Sequence, residues 1–479
     1  MASRTSELGG CCGRFVVNTT NAGTRLSTHV FRAVLAVLLL SGACACASSP
    51  ESLPSPPPTV LPTVEPSPTT RPVDAQDPTG CELHLWHSFT HEKESTLQNL
   101  VTKFEADSPY GIRLRVEFHS PLHAEVLAAI SAGTPPDVVI APCAQIAEYA
   151  LADTVVPLTE YVSNPTYGLN EAEQADLWPI ALQTGCLHPE TKQPLGLSFD
   201  HQAVVMFYNV GWLKKLKAEA PPQTWDEFRK LCNAARDKKA ATWGYAYAAG
   251  GPVLVNWISS LGGVLVDPRD GQAMLNSPQA IAAISVLKDL RQDGCAYCAA
   301  EPGVDRADFS AEKVLFTFGS TGDLAKYAEA ILNTQTKKPK FKWDIAPMPH
   351  PMSEPVVDVQ GSLISILRTS PSQQLAAWLF LKWFAQREND AQWALAAGAL
   401  PLHKSSKDVP ALRAYLEQNP QYAAACQLLA FAQSEPAVPR WQEVRALLVN
   451  AASAVCLGQA EPGDALAAAD SAADSLLAR

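Results

Sequence analysis

The most reactive side chains in this 479-residue chain are its ten histidines and twelve cysteines, and their spacing limits what they can do. His87 and His91 stand four apart, and His119 and His123 repeat that spacing. Two such pairs on neighbouring loops could hold zinc through imidazole nitrogens, although ordinary polar loop histidines give the same pattern. A secreted zinc-binding protein using these four residues is therefore the alternative reading of the chain. Cys295 and Cys298 frame a CxxC. Redox catalysis wants that motif at a helix N-terminus, whereas here it follows a helix-ending Gly294, so a structural Cys295–Cys298 bridge is expected, with Cys426–Cys456 as a second. The chain has no G-x-S-x-G elbow, no G-x4-G-K-[ST] phosphate loop, no H-E-x-x-H and no G-x-G-x-x-G after a strand. Neither a catalytic residue nor a cofactor is expected.

The elements that must position these residues alternate strand with helix. Cys81–Trp86 and Ile112–Phe118 alternate apolar and polar residues, and Asp137–Ala141 is a short apolar strand. Leu97, Leu100, Val101 and Phe104, then Leu122, Val126, Leu127 and Ile130, recur at helical spacing between them. Three strands with intervening helices imply a parallel sheet covered on both faces. Ligands of such sheets sit beyond the strands' carboxyl ends. Those ends are Trp86-His87-Ser88-Phe89, His119-Ser120 and Pro142-Cys143. Further on, Ala203–Tyr208 is a buried strand, and Thr224 with Glu227 has capping-box spacing. Ser277-Pro278 and Ser370-Pro371 open further helices.

Residues 1–43 carry four arginines against one glutamate, and Ala33–Leu40 is apolar but too short to span a bilayer, which makes this stretch an export signal. Cys44 then resembles the acylated cysteine of a bacterial lipoprotein, with Ser41 where that motif prefers leucine; Cys46 is the weaker candidate. Ten of the 31 residues from Pro50 to Gly80 are proline, so 44–80 is expected to be an extended tether. Removing 1–43 takes the net charge from −11 to −14. No positive field for nucleic acid exists, and an anionic ligand would need a local arginine.

Seven stretches carry a family resemblance: 133–158, 196–216, 221–235, 257–267 (WISSLGGVLVD), 313–324 (KVLFTFGSTGDL), 342–351 (KWDIAPMPHP) and 361–406. Together they resemble, in order, the extracellular solute-binding proteins of bacterial ABC importers, in the cluster containing maltose- and glycerol-3-phosphate-binding proteins. The resemblance implies an α/β, type II periplasmic-binding-protein-like fold: two interleaved lobes joined by a hinge, with the ligand cleft between them. Lobe one would be 81–200 plus 346–388, and lobe two 201–345 plus 389–479. The implied partners are a small polar solute such as a sugar, oligosaccharide, polyol or phosphopolyol, ABC permease subunits, and the membrane through a lipid anchor on its outer face. The protein would act as a monomer, without nucleic acid.

A sugar site needs hydrogen-bonding groups and an aromatic plate. Trp86 could supply the plate, with His87 and Ser88 beside it, and His119 and Cys143 stand at the other strand ends. By resemblance, Asp200 lies near a lobe crossing, Trp257 heads a segment that often contacts ligand, and Ser320-Thr321 follows a strand into a ligand-facing loop. Gly361 belongs to a glycine-rich return strand, and Arg440-Trp441 precede the last long helix, where relatives place a late cleft aromatic or arginine. Thr321 replaces a tryptophan common in relatives, and Ala141-Pro142-Cys143 lacks an aromatic, which points to a smaller or more polar ligand than a pyranose oligosaccharide.

Overall fold

A computed structural model describes residues 73–182, 185–188, 190–248 and 250–478. The signal, Cys44 and the tether up to residue 72 lie outside the described residues. Residues 73–80, expected to belong to the tether, rest on the folded chain: Asn164 donates to Asp74 at 3.0 Å, and the Gly80 N–H donates to the Tyr110 carbonyl.

Two main sheets are built from strands that are far apart in sequence. The first runs in the order Arg113–Phe118, Glu82–His87, Val138–Pro142, Ser362–Ile366, Leu197–Ser198. Its first three strands are parallel, and Ser362–Ile366 joins them antiparallel. Helices His91–Asp107 and Pro371–Phe384 cover one face, where Leu83, Leu85, Leu97, Phe104 and Phe380 form a core. On the other face, Val139 and Ala141 pack with Val126 and Ile146. Burial on both faces explains why the central strand Val138–Pro142 reads as a continuous apolar run.

The second sheet runs Ala432–Ser434, Val357–Gln360, Gln202–Asn209, Val314–Ser320, Trp243–Tyr247, Ala296–Cys298, and Trp343–Ala346 also pairs with the far half of Gln202–Asn209. That long central strand divides its side chains strictly. Val204, Met206 and Tyr208 enter one core, and Ala203, Val205 and Phe207 enter the other, as the two-residue period of a strand requires. The helix Trp225–Ala235 opens on the expected capping box, with the Thr224 hydroxyl accepting the Glu227 N–H and the Glu227 carboxylate accepting the Thr224 N–H.

The chain crosses between the sheets at Phe199–His201 and again at Gly361, which follows Gln360 in the second sheet and precedes Ser362 in the first. A Cβ on Gly361 would lie 2.2 Å from the Asp200 carbonyl oxygen, so only glycine lets these crossings touch. One expected lobe boundary is corrected. Trp343–Ala346 and Val357–Gln360 both hydrogen-bond into the second sheet, so the return to the first lobe comes at Gly361 and not at 346. Helix Arg387–Ala397 and the segment after it touch both lobes: Lys103 donates to Asn389 at 2.9 Å and Trp393 enters the first core, while Ala391 and Leu400 enter the second and Tyr422 donates to the Ala399 carbonyl.

The disulfide expectation is also corrected. Cys143 pairs with Cys186 and Cys298 with Cys456, while Cys295 and Cys426 are free thiols. Cys298 lies on the edge strand Ala296–Cys298, against the last turn of helix Trp441–Leu457, whereas Cys295 is fully buried with its thiol donating to the Leu290 carbonyl at 3.4 Å. Sequence proximity favoured Cys295 as the partner; the strand separates the two side chains.

Candidate functional site

Between the two sheets lies a cavity of about 280 Å³. Pro142, Cys143, Ser198 and Ser362 come from the first lobe, and Gln202, Gln360, Glu435, Trp441 and Arg445 from the second. A second cavity of about 640 Å³ continues it outward, sharing Gly185, Ser434, Glu435 and Pro436, with Lys192 and Glu190 on one side and Ser259, Asp267 and Arg269 on the other. The Cys143–Cys186 bridge braces the first-lobe wall by tying the start of helix Cys143–Ala150 to the segment after Gly185.

The charged centre of the cleft belongs to the second lobe. Arg445 donates to both oxygens of Glu435, at 2.7 and 2.9 Å, and also bonds Gln442. The Trp441 indole N–H donates to Glu435 as well. Trp441 and Arg445 are one helical turn apart on Trp441–Leu457, so both reach the same carboxylate. Gly251 gives the guanidinium arm its path: a Cβ there would stand 2.8 Å from Cγ and Cδ of Arg445.

Behind this pair, on the strand Val357–Gln360, is Asp358, fully buried, with neither carboxylate oxygen hydrogen-bonded. Its backbone N–H is held by the Asn256 side chain at 2.7 Å. Burial first, then the nearby Glu435 charge, hold the Asp358 carboxyl well above the usual carboxylate range, against the opposing pulls of Gln360 and Arg445. A carboxyl raised on folding binds more protons in the folded than in the unfolded state. Its contribution to stability is therefore present at acid pH and lost as pH rises from about 4 toward the folded value, at about 1.4 kcal/mol for each pH unit crossed. Asp358→Asn is expected to melt progressively higher relative to the parent protein as pH is raised from 4 to 7. A melting difference that is the same at both ends of this range would mean that Asp358 is not the protonated group.

Of the residues singled out in the sequence, Cys143, Gly361 and Trp441 line the cleft. Trp441 is only 1% exposed, so it floors the cavity and does not project into it as a plate. Ser320 and Thr321 secure the neighbouring turn: Ser320 donates to Gln202 at 3.0 Å, and the buried Thr321 hydroxyl accepts the Ala203 N–H. Trp257 is a core residue, stacked on Trp225 at 4.5 Å with the rings 2° apart. Arg440 pairs with Glu443 on its own helix and does not reach the cavity. Asp200 is buried in the crossing, ion-paired to Lys93 at 2.6 Å, and burial raises its carboxyl. Next to it, burial pushes His201 down to about 3, so the hinge holds a neutral imidazole bonded to Ser198.

The first-lobe group lies elsewhere. Trp86 stacks on His119 at 3.9 Å and donates to Glu117 at 2.8 Å, while Ser88 is exposed. His119 is engaged by Glu125, and His123 by Tyr149 at 3.0 Å and Glu148 at 3.4 Å. His87 is buried, accepts the Phe89 N–H, and is lowered by burial; His91 opens an exposed helix start. Among the described residues no three His, Cys, Asp or Glu side chains stand as a metal-holding group. Nothing in this arrangement supports a zinc site at these histidines. Gln360, beside Gly361 on the return strand, lines the cleft with it, whereas Glu435, Arg445 and Gln202 were missed. Only Arg445 left a sequence signal, its place four residues after Trp441.

Residues 99–440 match the family model described as bacterial extracellular solute-binding protein. A Brucella abortus (strain 2308) protein, described only as a binding protein, is 26% identical over 387 residues, covering 78% of this chain and 88% of that one. The sn-glycerol-3-phosphate-binding periplasmic protein of Escherichia coli (strain K12) is 22% identical over 430 residues, covering 83% and 92%. Among solved structures, the cyclic alpha-maltosyl-1,6-maltose binding protein of Arthrobacter globiformis is similar with a TM-score of 0.69 at 20% identity, covering 83% of this chain and 98% of that one.

Proposed function

As a member of the bacterial extracellular solute-binding family, this chain is a solute receptor, and we propose that it captures a neutral polyhydroxy solute, a sugar or polyol, for an ABC permease. The observation that carries this reading is the cleft itself. Both lobes supply its walls, and its polar groups are amides, hydroxyls and charges already paired with one another. Gln202, Gln360, Ser198 and Ser362 can both donate to and accept from hydroxyls. A phosphate ester would have to displace Glu435 from Arg445, since that guanidinium is already bound. Lys192 stands only at the outer cavity. A ligand gripping both walls favours the closed arrangement, and that shape is the signal a permease reads.

The receptor acts as a monomer, exported and held by lipid on Cys44 at the outer face of the membrane. Among the described residues no helix is long and apolar enough to cross it. No reaction is assigned to the cleft; the relatives in Brucella, Escherichia and Arthrobacter are described as binding proteins.

A thermal-shift panel of sugars, polyols, oligosaccharides and phosphopolyols tests the reading. A neutral member at about 100 times its Kd should stabilise the folded protein by about 2.7 kcal/mol. A rise confined to phosphorylated members would overturn the neutral-solute reading, and silence from the whole panel would overturn the receptor reading for these solutes.

A further inference from the structure

We propose that Cys232 and Cys295 form a third disulfide in the exported protein, linking helix Trp225–Ala235 to the chain just after helix Pro278–Gln292. Both residues are fully buried in the same core of the second lobe, where the Cys295 thiol has only the Leu290 carbonyl, at 3.4 Å, as its hydrogen-bond acceptor. The backbone around them is equally tight. The Gly244 N–H donates to the Cys295 carbonyl at 2.8 Å, while a Cβ on Gly244 would lie 2.2 Å from the Cα of Cys232 and 2.4 Å from its Cβ. Glycine at 244 is what brings the two cysteines together across the edge of the strand Trp243–Tyr247.

Outside the sulfurs, a clamp holds the same two elements in register. Arg229, one turn before Cys232, donates to Asp289 at 2.7 Å and to Asp293 at 2.7 and 2.9 Å. The thiols are unequal: the neighbouring Cys232 thiol is the main cause lowering Cys295, while burial raises Cys232.

The oxidant is a disulfide, R–S–S–R, of the thiol–disulfide oxidoreductases that act on exported chains. The Cys295 thiolate attacks one oxidant sulfur, forming a Cys295–S–S–R bond and expelling RS⁻. Cys232, giving up its proton, then attacks the Cys295 sulfur and expels the second RS⁻. Two cysteine thiols are oxidised, one oxidant disulfide is reduced to two thiols, and both cysteine protons pass to solvent or to the departing thiolates. Because both sulfurs are buried in the folded chain, the exchange belongs to folding, before the core closes.

The test uses full-length protein recovered after export, unfolded without reductant in iodoacetamide, digested and mapped by mass spectrometry. The expected result is a covalent Cys232–Cys295 peptide pair, two hydrogens lighter than the sum of its parts, beside intact Cys143–Cys186 and Cys298–Cys456 pairs. In Cys232→Ser, Cys295 should become alkylated while the other two pairs persist. Alkylation of both Cys232 and Cys295 in the parent protein, with the other pairs intact, would overturn the proposal, as would Cys295 linked to any other cysteine.

Discussion

Trp441→Ala should cost about 3–5 kcal/mol of folding stability and weaken solute binding by roughly tenfold or more. The two losses have separate causes. The ring begins helix Trp441–Leu457 and is packed into the second-lobe core with Val444 and Leu448, so its removal leaves a large cavity under the cleft. The indole N–H also fixes the Glu435 carboxylate, which faces the ligand space. Trp441→Phe separates them: most of the packing returns, the donor does not, and binding should stay impaired. Denaturant unfolding of the free protein and titration with the solute found by the panel measure both quantities. Parent-like stability of Trp441→Ala would refute the core placement.

Replacing Arg445 by Met is expected to cost about 3–5 kcal/mol, because it strands a carboxylate that the cleft shields from water. The side chains of Arg445 and Glu435 are 17% and 11% exposed, too little for solvent to take over the role of partner. The buried Asp358 carboxyl behind them adds a like charge if it ionises, so the guanidinium neutralises the whole region. Adding Glu435→Gln to Arg445→Met should recover most of the lost stability, since the destabilising charge is then gone. Chemical denaturation of the parent, both single variants and the double variant completes the cycle. A double variant as unstable as Arg445→Met would show that the arginine acts through packing of its stem and not through the pair.

Much of the framework was legible because it depends on local rules. The strands expected at Cys81–Trp86, Asp137–Ala141 and Ala203–Tyr208 occur at Glu82–His87, Val138–Pro142 and Gln202–Asn209. The Thr224 box and the Ser277 and Ser370 caps are made as their spacing requires. Gly361 was placed at the cleft by resemblance, and the touching crossings supply the physical reason for the glycine. What escaped depends on contacts between distant segments. Cys143 finds Cys186 across 43 residues, and Cys298 finds Cys456 across 158; nothing in their spacing distinguishes these pairs from others. Trp257 and Trp441 are both aromatic residues at helix faces in sequence, but Trp225 covers one, while the cleft opens above the other. Glu435 sits on an irregular stretch after Ala432–Ser434, with no periodicity to mark it.

The interleaving of the two sheets also governs when this molecule can exist. The first sheet waits for Ser362–Ile366 to stand beside Val138–Pro142, and the second for Ala432–Ser434 at its edge. While the chain emerges from a ribosome, neither half can bury its finished core until more than three-quarters of the residues have been made. For an enzyme confined to the cytoplasm that delay would expose apolar strands to aggregation. For a chain bound for export it keeps the polypeptide threadable, so the strand order that places the hinge also delays folding until the membrane is behind it.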